Sequence, residues 1–77
     1  MTFEVTLKID PERLSNDATV GIVGLRLVHM GGSFVHWEPD THKHPAVARF
    51  RFSTADERDR FLAEALEIPG VSVATLQ

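Results

Sequence analysis

The sequence predicts an α+β sandwich with the element order β-α-β-β-α-β, and three observations predict it. Residues 3–9 alternate apolar and polar side chains with a period of two. Residues 54–66 carry a capping signature followed by an apolar helical stripe. Between them, two further strand-like runs flank a polar loop, at residues 33–38 and 46–53. At 77 residues this is one domain, 1–77, with a small core.

The first strand places Phe3, Val5, Leu7 and Ile9 on one face and Glu4, Thr6 and Lys8 on the other. Asp10 and Pro11 stop it, and a helical turn over residues 11–14 follows. A helix is expected over residues 17–30, capped by Asn16 or Asp17 and ended by Gly31 and Gly32. Gly21 and Gly24 each cost such a helix about 1 kcal/mol against alanine, and Val20, Ile22 and Val23 are β-branched, so a strand over residues 20–28 is the competing reading. As a helix it has two apolar stripes. Ala18, Ile22, Leu25 and His29 form one, expected to face the core, and Val20, Val23, Leu27 and Met30 form the other.

The second strand is rich in Phe34, Val35 and Trp37. The third buries Ala48, Phe50 and Phe52 and turns Val47, Arg49 and Arg51 outward. In Thr54-Ala55-Asp56-Glu57, hydroxyl and carboxylate are spaced to satisfy each other's free N–H groups, and acids suit the positive end of the helix dipole. Phe61, Leu62, Ala65 and Leu66 give this helix its apolar face, and Arg60 and Glu64 are spaced to pair. Pro69 and Gly70 end it, and residues 71–76 form the last strand. The expected core is Val5, Leu7, Ile22, Leu25, Phe50, Phe52, Phe61, Leu62, Leu66 and Val73.

That order folds into one antiparallel sheet, in spatial order 4-1-3-2, with both helices on one face: the ferredoxin-like arrangement. The chain resembles ACT-type regulatory domains in element order and in Ile68-Pro69-Gly70-Val71 leading into the last strand. It is also similar in topology to the metal-binding half of nickel-responsive repressors, which have histidines near the central hairpin, though it lacks their cysteine ligand and DNA-binding arm. Residues 49–62 resemble the third strand and second helix of an RNA-recognition motif. There, bases stack on aromatic rings of the open face. Here Phe50 and Phe52 fall on the core face, so the likeness extends to the fold and not to RNA binding.

Composition excludes several function classes. Without cysteine there is no disulfide, thiolate metal site or cysteine nucleophile, which fits a reducing cytoplasm. A net charge of −3 gives no basic footprint for nucleic acid and disfavours an anionic membrane surface. No secretory leader is evident, and the most apolar run is too short to span a bilayer and carries Arg26. The chain reads as a complete small protein. No nucleophile elbow, phosphate loop or helix-borne zinc motif is present, so no catalytic residue is assigned.

Two sets of candidate binding residues remain. Lys8, Arg49 and Arg51 make a basic patch on the open face that suits a carboxylate, a phosphate or an acidic partner, and Glu4 stands ready to balance it. His36, His42 and His44, beside Glu38 and Asp40, are ligand types for a weakly held divalent transition metal or for a pH switch. No cofactor is otherwise implied. The expected function is a non-catalytic interaction or regulatory module acting as a homodimer, with a protein partner as a further possibility. The alternatives are a metal- or small-ligand-sensing domain and a small enzyme or enzyme subunit. A core this small, with no disulfide to support it, favours the dimer.

Overall fold

The computed structural model describes residues 2–31 and 33–76. Its elements are β1 (Phe3–Ile9), a 3-10 turn (Pro11–Arg13), α1 (Val20–His29), β2 (Ser33–Glu38), β3 (Ala46–Phe52), α2 (Ala55–Ala65) and β4 (Val71–Leu76). The four strands form one sheet in the order β2-β3-β1-β4, antiparallel at every pairing. This is the ferredoxin-like order expected from the sequence.

The register of the two central strands follows from their alternation. β1 pairs with β3 from Phe3 opposite Phe52 to Ile9 opposite Ala46. Directly opposed residues project to the same side. Val5, Leu7 and Ile9 therefore share a face with Ala46, Ala48, Phe50 and Phe52, and all seven are buried. Val23 and Leu27 of α1 and Phe61 and Ala65 of α2 join the same cluster, so both helices cover this one face. Phe61 is wedged between two strand rings, 4.9 Å from the centroid of Phe50 and 5.0 Å from that of Phe52. Ile68 and Val71 close the core beyond α2.

The first helix differs from expectation in two ways. It starts at Val20 and is capped by Thr19, whose hydroxyl accepts the Ile22 N–H at 3.2 Å, rather than by Asn16 or Asp17. The residues ahead of it are drawn into a tight turn by a hydrogen bond from the Ala18 N–H to the Ser15 carbonyl. The buried face is also the other stripe. Val23, Gly24 and Leu27 face the sheet, while Ile22 (56% exposed), Leu25 (62% exposed) and His29 face away. The reason is Trp37, which projects from β2 against Gly24 and fixes which side of α1 meets the sheet.

Two further expected core residues are exposed. Leu66 caps the end of α2, and Ala65 and Ile68 fill the core there instead. Val73 lies opposite Leu7 on the core face, but at an edge strand where cover is incomplete. In α2 the Thr54 hydroxyl accepts from the Glu57 N–H at 3.2 Å, half of the expected reciprocal cap. The return bond from Glu57 and the Arg60–Glu64 pair are not formed among the described residues. No helix among them is long and apolar enough to cross a membrane.

Candidate functional site

The sheet face away from the helices carries the basic patch. Its central strands supply Glu4, Thr6 and Lys8 opposite Arg51, Arg49 and Val47. Arg51 is held by Glu4: its Nη2 and Nε donate to Glu4 Oε2 at 2.9 and 3.2 Å. Arg49 makes no ion pair or side-chain hydrogen bond among the described residues, and neither does Lys8. Three cations stand against the carboxylates of Glu4 and Glu38. This face is thus +1 in a chain of −3, which leaves −4 on the rest of the molecule.

Both edge strands reach this face through a β-bulge. In β2 the pairing steps from Phe34 opposite Phe50 to His36 opposite Arg49, leaving Val35 as the extra residue. In β4 it steps from Thr75 opposite Thr6 to Val73 opposite Leu7, leaving Ala74 extra. A bulge reverses the face on which the following residues fall. Phe34 and Trp37, three apart, consequently both point toward the helices, while His36 and Glu38 join the open face. The two bulges meet at one row. His36, Arg49, Thr6 and Thr75 lie side by side across all four strands. Glu4, Thr6, Arg49 and Thr75 line a depression of about 260 Å³ there.

The structure does not gather the three histidines. His36 belongs to this row, 3.8 Å from Glu38 Oε1 through its Nε2. His42 and His44 lie on the exposed loop between β2 and β3. Thr41 closes that loop on itself: its hydroxyl accepts the N–H of Lys43 and of His44, and its own N–H donates to the His44 carbonyl at 2.9 Å. The loop packs beside Asp10, Pro11 and Glu12. No group of three or more His, Asp or Glu side chains is placed to hold one metal ion among the described residues.

A second surface lies where α1 meets the edge strand β2. Gly21, Gly24, Leu25, Val28, Phe34 and Trp37 line an apolar groove of about 260 Å³. Ile22 on the same helix and Val35 on the same strand are exposed as well. The two glycines differ in kind. A Cβ on Gly24 would meet the Trp37 ring at 3.0 Å, so Trp37 requires this glycine. A Cβ on Gly21 would meet only Thr19 Oγ1, at 4.0 Å, so nothing among the described residues requires that one. Sequence reasoning found the leftover stripe on α1 but put the wrong half of it outside. The grouping with Phe34 depends on the Val35 bulge, which no residue type announces.

No known protein family matches this chain, and no curated protein or solved structure matches it either.

Proposed function

We propose that this chain is a non-catalytic interaction module that works as a homodimer, joined through α1 and the β2 edge. One observation carries the reading: five of the eight large apolar side chains exposed among the described residues belong to α1 and β2. Ile22, Leu25, Val28, Phe34 and Val35 are all exposed, and together they leave on the order of 500 Å² open, as large as the main apolar patch of a typical monomer. Two such patches face to face bury on the order of 1,000 Å², which reaches the lower limit for a specific interface.

The occupant best suited to the groove is a second copy. Leu25 projects beside a recess floored by Gly21 and Gly24, so knob and hole lie on one surface. A two-fold axis brings each knob to the other copy's hole. It also accounts for Gly21, whose missing side chain makes room for no neighbour among the described residues. β2 adds an edge with no proline or lysine in it, bulged at Val35. A regulatory role within this reading draws on the resemblance to ACT-type domains.

Light scattering tests it. The expected mass at micromolar concentration is twice 8.6 kDa. Leu25→Asp, at a site already exposed, is expected to give a folded monomer with the same far-UV spectrum. A wild-type protein that stays monomeric at several hundred micromolar, or a Leu25→Asp variant that stays dimeric, sinks the proposal.

A further inference from the structure

We infer that the row His36–Arg49–Thr6–Thr75 on the open face binds a phosphate group, free or as the terminal group of a small phosphorylated molecule, at a site separate from the surface proposed for dimerisation. The argument begins with the bulges. Thr6 and Arg49 are central-strand residues that regular alternation already turns outward. Thr75 and His36 are not so placed by default. Were the pairing to run on regularly from Val73, Ala74 would take the place opposite Thr6 and Thr75 would fall opposite Val5 on the core face. Were it to run on regularly from Phe34, Val35 would take the place opposite Arg49 and His36 would fall opposite Ala48, likewise turned inward. Two separate irregularities, one in each edge strand, bring a polar side chain to either end of one row. Each bulge leaves a residue without a ladder partner.

The chemistry of the row is that of an oxyanion receptor. The Arg49 guanidinium offers several N–H donors in a plane and spends none of them on a carboxylate. Two hydroxyls flank it on one side and an imidazole on the other. Lys8 adds positive charge one row away, beside Val47 and Ser72. The carboxylate nearest the depression, Glu4, is occupied by Arg51. Glu38 is drawn toward His36. Donors converging from more than one direction favour the several oxygens of a phosphate over the two of a carboxylate. Among the described residues no phenylalanine or tryptophan stands on this face, and its one imidazole, His36, lies beside Glu38.

The test is a titration of ¹⁵N-labelled protein with sodium phosphate, ionic strength held constant with sodium chloride. Saturable shifts are expected at the amides of residues 6, 36, 49 and 75 and at the Arg49 Nε–H, with a dissociation constant on the order of 1 mM. Arg49→Gln, at an exposed position, is expected to weaken binding at least about fivefold, and Thr75→Val about threefold. Lys43→Gln, in the loop, is expected to leave it unchanged. Shifts that never saturate, or an Arg49→Gln variant that binds as wild type does, overturn the site. Sodium acetate saturating the same signals at the same concentration overturns the assignment to phosphate. Leu25→Asp should bind phosphate as wild type does, so this site and the dimer surface fail separately.

Discussion

The indole of Trp37 fills the space that a side chain on Gly24 would need. A Cβ there would stand 3.0 Å from Cζ3 and 3.1 Å from Cη2. One turn earlier, Gly21 has no such neighbour. The two positions should therefore respond oppositely to alanine. Gly24→Ala gains about 1 kcal/mol of helix propensity but overpacks against the ring at a cost of about 1–3 kcal/mol, so a net loss near 1 kcal/mol is expected. Gly21→Ala should stabilise the fold by up to about 1 kcal/mol. Urea unfolding in the Leu25→Asp background separates these effects from association. Equal responses at the two glycines are inconsistent with this packing.

The same contact explains what the sequence hides. β1 and β3 are legible because their faces differ in polarity at every step but Val47, so one alternation sets both register and core. α2 is legible because Thr54 and Phe61 mark its start and its buried side. α1 is apolar on two sides, and its buried side is set by a ring from another element settling against a residue with no side chain. Glycine carries no hydropathy signal, so the stripe containing Ile22 and Leu25 looks as suitable as the one containing Val23 and Leu27. The bulges are silent for a similar reason. Val35 and Ala74 are ordinary strand residues, and only the pairing shows that they are extra. The row from His36 to Thr75 could not be assembled without them.

Phe61 of α2 packs against two strand rings, Phe50 and Phe52. Phe61→Ala removes both ring pairs and leaves a cavity, and should cost about 3–5 kcal/mol. Marginal stability of a small domain is of that size. A calorimetric transition lost or moved well down in temperature is expected, and a melting point within a few degrees of wild type is the contrary result.

Gly70 and Gly31 both have positive φ, +89° and +95°. They differ in surroundings. A Cβ on Gly70 would lie 2.8 Å from Leu14 Cδ2 and 3.0 Å from the Asp10 carbonyl oxygen, whereas one on Gly31 meets nothing within 4 Å. The Gly70 carbonyl also accepts the Asp10 N–H at 2.9 Å, tying the start of β4 to the end of β1. Gly31→Ala should cost about 1 kcal/mol for backbone strain alone. Gly70→Ala adds steric displacement and should cost about 2–3 kcal/mol. Chemical denaturation of the two variants gives the order directly, and a larger loss at Gly31 contradicts it.

Glu4 and Arg51 form the best-aligned ion pair on the open face, yet the Arg51 side chain is 49% exposed. Solvent screens such a pair, so Glu4→Gln should change stability by no more than about 1 kcal/mol. Its effect on binding should be larger than its effect on folding. Glu4 lines the depression beside Arg49 and is the carboxylate closest to an incoming anion. Replacing it with a neutral amide removes that repulsion and frees Arg51, which lies on the same strand and face as Arg49, two residues along. Phosphate affinity should rise about threefold, and the gain should shrink as salt is added because screening weakens the repulsion being relieved. The measurement is the same amide titration at two ionic strengths. Unchanged or weaker phosphate binding in Glu4→Gln means that the anion does not sit at this row.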